Sequence, residues 1–356
     1  MKIQVIDAAN PLGVSSLREI WQDGPVGYSE PHLVMANALA NRGHEVTIYG
    51  QTREPKQVIP GVTAEPILNY VRSGADATLY FIGRSSQADW APFRLPDIEL
   101  IEIAKSLTGP VLAFGYKPLV PAPSRWPTKQ WGYLALSRWH HEFMAKEGIP
   151  ANSIINMGLP IHPDNDFDPD LAAKRPFLPR VLYASSWDRG LESLLTMWPQ
   201  IRERVPEAEL FITYNSHKGK LVEELKQQNV FILGNLSFRK MKELYHSCHV
   251  LAYPCDDDVE TFCYTVRKAQ MAGCVPVVTP TGALPEAVLD SGGIVSTPDK
   301  FVKALLSLIQ FRPFWESRTH KCREIDVTYP DEYAAKLEKA WVDVSAPSSQ
   351  FSRLFK

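Results

Sequence analysis

The chain has few cysteines, and none is placed for a staple or a metal. Cys248, Cys255, Cys263, Cys274 and Cys322 are odd in number and form no C-x-x-C pair. That speaks against a disulfide framework and a zinc site, and the expectation is reduced thiols in a cytoplasmic protein. Long hydrophobic runs are also missing: no stretch approaches about 18 consecutive apolar residues, so no transmembrane segment is expected. Met1-Lys2 leads straight into the apolar strand 3–6, and no signal peptide is expected. There is no excess of one charge either. With a net charge of -2 the chain exerts no long-range pull on nucleic acid or anionic membrane, although a local basic patch is compatible with it. No G-x-S-x-G, H-E-x-x-H or Walker pattern is present.

What is present is an ordinary globular composition, 45% apolar and 22% charged, over 356 residues, a length that suggests two cores. Residues 2–6 read as a buried parallel strand. A long loop follows, with Gly13, Gly24, Pro25 and Gly27, and then a helix over 30–41 with Leu33, Val34, Ala36, Leu39 and Ala40 at helical spacing. Arg42-Gly43-His44 closes that helix before a strand at 45–49, and further strands are predicted at 77–82, 111–114 and 133–137. Residues 162–179, rich in Pro and Asp, read as a linker. A second α/β series follows, with strands at 180–184, 209–214, 230–233 and 250–254 and helices at 190–205, 220–227 and 238–247. It leads into 260–288, where an acidic loop ends at Glu260, a helix runs to Ala272, Gly273 stops it, and a strand at 275–278 precedes another helix. The end reads as helices at 300–311 and 331–342 and a loose tail from Ser345.

Two segments follow strand ends, where open α/β sheets place ligand crevices. Residues 84–97 contain Arg84, Trp90, Phe93 and Arg94; residues 116–131 contain Tyr116, Lys117, Arg125, Trp126, Lys129 and Trp131. Aromatic faces and Arg donors there suit an acceptor sugar chain or the bases of a nucleic acid, and plain loop packing is the alternative. Asp256-Asp257-Asp258 reads as a solvated acidic loop rather than a cation site, and His140-His141 as surface or capping residues.

Three stretches carry a family resemblance. Gly27-Tyr28-Ser29-Glu30 runs through a helix into Arg42-Gly43-His44-Glu45-Val46. Leu134 to His162 holds a strand, a Ser, a helix and Gly148-Ile149-Pro150. Glu260 to Val288 holds a Glu, a helix-ending Gly and a Pro276-Val277-Val278 strand. Together they resemble the GT-B glycosyltransferases, in particular the retaining family-4 type. The resemblance implies an α/β fold of two Rossmann-like doubly wound parallel-sheet domains facing a cleft, with a C-terminal helix crossing back to the N-domain. The implied domains are 1–165 for acceptor binding, a linker 166–179, 180–328 for a nucleotide-sugar donor, and 329–356 returning to the first.

The implied activity is transfer from a UDP- or GDP-sugar to an acceptor hydroxyl, with retention and without a metal. Arg189, between a strand end and a helix start, would face the departing diphosphate, and Glu260 would accept hydrogen bonds from the sugar. The donor set implied is Gly27, Ser185, Ser186, Arg189, Glu260, Thr261, Phe262, Cys263, Tyr264, Lys268 and Glu286; Tyr28, Arg84, Trp90, Arg94, Tyr116, Lys117 and Trp126 would meet the acceptor.

Two positions depart from the pattern. Serines 185 and 186 stand where the family has an Arg, and Lys268 stands where its second Glu binds the ribose. A Lys only donates, so the ribose is held by another group, the nucleotide is bound differently, or turnover is lost. A glycan, a lipid-linked group or a modified base in DNA fits as acceptor, and a GT-B-shaped binding protein without turnover is the reading from a different class.

Overall fold

The structure, a computed structural model, describes residues 1–7, 29–50, 52, 55–70, 74–81, 103, 106–107, 109–114, 131–161, 167–173, 175–213, 228–256, 260–289 and 291–346. These fall into two compact units, one made of the chain up to Ile161 and again from Thr328, the other of the stretch between. The first unit runs β1 (Lys2–Ile6), α1 (Ser29–Asn41), β2 (Glu45–Gly50), β3 (Lys56–Ile59), β4 (Val62–Pro66), β5 (Ala77–Phe81), β6 (Val111–Phe114), β7 (Trp131–Ala135), α2 (Arg138–Lys146) and β8 (Ile154–Asn156). The second runs α3 (Pro169–Ala173), β9 (Arg180–Ala184), α4 (Leu191–Arg204), β10 (Glu209–Thr213), β11 (Val230–Gly234), α5 (Phe238–Ser247) and β12 (Val250–Tyr253). It continues with α6 (Tyr264–Met271), β13 (Val275–Val278), α7 (Leu284–Val288), β14 (Ile294–Val295), α8 (Pro298–Gln310) and α9 (Arg312–Arg323), and α10 (Pro330–Ser345) closes the described chain.

In the first unit the strand order is β3-β4-β2-β1-β5-β6-β7-β8, parallel apart from the antiparallel β3/β4 pair. Strands such as Ala77–Phe81 and Trp131–Ala135 are buried along their whole length, as parallel strands covered on both faces must be. The chain runs outward from β1 and then returns to lay β5 on its other side. The expected returning helix is observed: α10 buries Tyr333, Ala334, Leu337, Ala340, Trp341 and Val344. It is anchored by Trp341 Nε1 donating to Thr78 O at 2.9 Å and Tyr333 Oη donating to Gly158 O at 3.1 Å. Gly132 allows this approach, since a Cβ there would lie 2.9 Å from Val344, Leu112 and Ile155 side chains.

The second sheet is parallel throughout, in the order β11-β10-β9-β12-β13-β14. Val181, Tyr183, Val250, Ala252, Val275 and Val277 face α4, α8 and α9. Leu182, Leu251, Tyr253 and Val278 point the other way, toward α5, α6 and α7. Alternation of this kind, with helices on both faces, is the doubly wound architecture expected from the sequence. Fully buried Trp198 and Phe301 each stabilise the first of these layers by roughly 1.5–3 kcal/mol. No described helix is long and apolar enough to cross a membrane, and all five cysteines are buried thiols.

The Pro- and Asp-rich stretch carries α3 and is tied into the second unit. Arg175 donates to the carbonyls of Tyr245, Ala272 and Gly273, placing a cation where α5 and α6 present the negative ends of their dipoles. His246 Nε2 accepts from the Asp168 N–H at 3.0 Å and His249 Nε2 from the Leu178 N–H at 3.2 Å. In the first unit His140 Nδ1 accepts from the Leu136 N–H at 3.2 Å, so this residue is a buried brace rather than a surface group.

A protonated imidazole has no acceptor nitrogen, and burial pushes the three rings down, His140 and His246 to about 4 and His249 to about 3. Below pH 6.5 the unfolded chain therefore binds more protons than the folded one, and stability is lost as the pH falls from there toward 4. The loss is on the order of 1 kcal/mol per pH unit for each histidine. Melting temperature across pH 7 to 4.5 should fall steadily; a flat profile rules this out.

Three further features differ from the sequence reading. The β3/β4 hairpin went unpredicted because Lys56, Gln57, Glu65 and Pro66 obscure a weak edge-strand alternation. Helix α9 buries only Trp315, Thr319 and Cys322, a stripe too thin to register as apolar periodicity. Trp131, grouped above with the ligand-facing aromatics, opens β7 and is 4% exposed, beside Tyr80 and Tyr133; it is core.

Candidate active site

In an open parallel sheet, loops at the carboxyl ends of two neighbouring strands part where the winding direction reverses, and ligands bind there. In the second sheet the chain winds out through β9, β10 and β11 and then returns to place β12 beside β9. The reversal lies between those two strands. The loop after β9 carries Ser185, Ser186 and Arg189; the loop after β12 carries Glu260.

Glycines bring these loops together. Gly190 caps α4 with φ +87°, and a Cβ on it would stand 1.9 Å from the Pro254 carbonyl oxygen. Gly282, after β13, has φ +53°, and a Cβ there would stand 2.5 Å from the Glu260 carbonyl oxygen. The Ala283 N–H donates to that same carbonyl at 2.8 Å, while the Thr279 and Thr281 hydroxyls both donate to Cys255 O. The backbone that carries Glu260 is thus held from both sides. Helices α4 and α6 begin at this edge and direct their N–H-bearing, positive ends toward it.

Four side chains meet here. The Arg189 guanidinium pairs with Glu260 Oε1, with side-chain exposures of 8% and 12%. Tyr253 Oη, at the end of β12, donates to the same Oε1 at 2.6 Å, and Ser185 Oγ lies 3.0 Å from the phenol oxygen. Glu260 Oε2 accepts no hydrogen bond from a described residue. Burial and the neighbouring Glu260 and Cys263 hold the Tyr253 hydroxyl far above the usual phenol range, so it remains a donor.

Glu260 is not helical. The helix expected to start directly after it begins at Tyr264, and Cys263 before it is left-handed, φ 58°. Thr261 is buried, Phe262 lies 5.9 Å beneath the Arg267 guanidinium, and burial raises the Cys263 thiol. Lys268 lies on α6, which does not include Glu260. Its ammonium sits 4.2 Å from the ring centre of Phe238 and 4.8 Å from that of Tyr264, and the residue is 3% exposed. Glu286 stands in the first turn of α7, close enough to Arg267 to support its charge. The Ser186 carbonyl accepts from Tyr183 Oη at 2.6 Å.

Comparison with known proteins agrees with this architecture. Residues 178–310 match the family described as Glycosyl transferases group 1. No curated protein matches the chain in sequence. Among solved structures, sucrose-phosphate synthase from Thermosynechococcus elongatus is similar with TM-score 0.73 at 12% identity, over 96% of this chain and 98% of that one. HepE from Anabaena, in complex with UDP and glucose, gives 0.67 at 12%, over 96% and 99%. The catalytic domain of starch synthase IV from Arabidopsis thaliana, bound to ADP and acarbose, gives 0.65 at 11%, over 97% and 99%. The chain has the GT-B glycosyltransferase fold.

Within this GT-B chain, Gly27, Tyr28, Arg84, Trp90, Arg94, Tyr116, Lys117 and Trp126 lie outside the described residues, as do Asp257 and Asp258. Asp256 is exposed, and the described residues contain no group of three or more His, Cys, Asp or Glu that could hold a metal ion. Sequence reading missed Tyr253, which looked like the last apolar residue of a strand. It also missed a buried pair in the first unit, Asp7 at the end of β1 with His32 in α1, whose ring centre lies 3.6 Å from that of Phe81. The first sheet's winding reverses there, between β1 and β5.

Proposed function

We propose that the protein is a glycosyltransferase that moves a sugar from a nucleoside-diphosphate donor to an acceptor hydroxyl. The observation that carries this reading is the Arg189–Glu260 pair at the reversal point of the second sheet, between the starts of α4 and α6. A departing diphosphate needs positive charge and N–H donors already in place, and Arg189 with the α4 N-terminus offers both. A hexosyl group needs a fixed acceptor for its hydroxyls, which Glu260 Oε2 offers. Ser185, Ser186, Thr261, Phe262, Cys263, Tyr264, Lys268 and Glu286 complete the donor side, and the first unit receives the acceptor. The UDP and ADP bound by structural relatives support a nucleoside diphosphate as leaving group.

Retention without a metal completes the proposal. The acceptor oxygen bonds to the anomeric carbon from the face that the phosphate leaves, the bond from that carbon to the phosphate oxygen breaks, and the acceptor proton passes to the phosphate. Arg189 takes up charge on the diphosphate while Glu260 aligns the ring.

A thermal-shift series with UDP, GDP, ADP, CDP and dTDP and their common sugars, each with and without EDTA, tests this. One nucleotide class at about 100 times its Kd should stabilise by roughly 2.7 kcal/mol, unchanged by EDTA. Loss of the shift in EDTA refutes metal independence; a shift without any sugar transfer leaves a binding protein; no shift with any nucleotide overturns the donor site.

A further inference from the structure

We infer that Tyr253 is a positioning residue that fixes which oxygen of Glu260 faces the transferred sugar. The inference rests on the donor-site reading above and deepens it.

The direction of the hydrogen bonds follows from the acceptor end. A carboxylate paired with a guanidinium only accepts, so the phenol proton points to Oε1. Ser185, 3.0 Å from the phenol oxygen, must then be the donor to it. The chain runs in one direction, from the Ser185 hydroxyl to the phenol to Oε1. Tyr253 is the last residue of a buried strand and 2% exposed, so its hydroxyl is held by the sheet. Arg189 reaches the same oxygen from a loop, on a longer and more flexible side chain.

Both protein donors on one oxygen leave Oε2 as the ligand-facing acceptor. They are not equivalent once a donor binds. A diphosphate competes with Glu260 for the Arg189 guanidinium, because both are anionic oxygen acceptors suited to the same fork. A carboxylate held by Arg189 alone would rotate as that contact is shared out. Tyr253 makes no contact that a phosphate can claim, since its proton is already committed, and it keeps Oε1 in place while Arg189 turns to the leaving group.

The test separates recognition of the sugar from recognition of the nucleotide. Wild type and Tyr253→Phe are titrated calorimetrically with UDP, GDP, ADP, CDP and dTDP and with their common sugar conjugates, and the ratio of Kd for nucleotide over nucleotide sugar is the sugar increment. In Tyr253→Phe the nucleotide Kd should stay within about twofold, which also verifies folding. The sugar increment and kcat should each fall roughly 10- to 100-fold, the worth of a hydrogen bond to a charged group. On a Glu260→Gln background the same change should add less than about threefold, because the two residues act through one oxygen. An unchanged increment in Tyr253→Phe, or full additivity in the cycle, overturns the positioning role. A wild type that binds none of the five nucleotides, or shows no sugar increment with the class it binds, overturns instead the donor-site reading beneath it.

Discussion

Glu260→Ala is expected to lower turnover at least a hundredfold with a verified donor, and to destabilise the second unit. The first effect follows from loss of the carboxylate that aligns the sugar. The second follows from Arg189, whose side chain is 8% exposed and loses the Glu260 carboxylate. Breaking a buried pair from one side costs about 3–5 kcal/mol, since an Arg stays charged. Glu260→Gln separates the two effects. Its amide must place the carbonyl oxygen where Arg189 and Tyr253 both donate, which turns the NH₂ toward the ligand. An acceptor becomes a donor at the one point that matters, while shape and one hydrogen-bonding oxygen are kept. Melting should therefore recover much of the way in Glu260→Gln while kcat stays low. Near-normal turnover of this variant sinks the role given to Glu260.

Gly190→Ala should be the most damaging single methyl in the second unit. At φ +87° an Ala is strained by roughly 1–2 kcal/mol. Its Cβ would also sit 1.9 Å from the Pro254 carbonyl oxygen, backbone against backbone, and such overlap typically costs about 1–3 kcal/mol more. Gly234 is the control: its φ is +67°, with nothing within 4 Å of a Cβ, so Gly234→Ala should carry the strain alone. Denaturant unfolding of the pair should separate them by about 1–3 kcal/mol. Relief of the overlap pushes apart the loops bearing Arg189 and Glu260, so kcat of Gly190→Ala should fall even at temperatures where it is folded. Equal stability losses for the two glycines would show that the close approach exerts no constraint.

Some of this was readable in the chain and some was not, for physical reasons. Parallel strands buried on both faces are short apolar runs, so 180–184, 250–254 and 275–278 stood out, as did Gly273, whose left-handed φ of +72° ends α6. Arg189 was singled out from local context, a strand end before a helix, and Glu260 from the family resemblance of the stretch it opens. Their pairing was not visible: 71 residues separate them, and only the reversal of the winding between β9 and β12 makes them neighbours. Tyr253 carried no signal, because a tyrosine ending an apolar strand serves the core equally well, and its hydroxyl acquires meaning from a loop fold. Lys268 was legible as a departure but not as a cation held against two aromatic rings, since Phe238 comes from another helix.

The return of α10 has a consequence for how the protein is made and cut. The Ile161 N–H donates to Thr328 O at 3.0 Å, so the described second unit leaves and re-enters the first at a single point, as an inserted domain does. On a ribosome the inserted half can complete its sheet first, whereas the half synthesised earliest must wait for residues 330–345 to cover Thr78, Gly132 and Gly158. A stop codon or a protease cut near the end of the chain therefore damages its beginning.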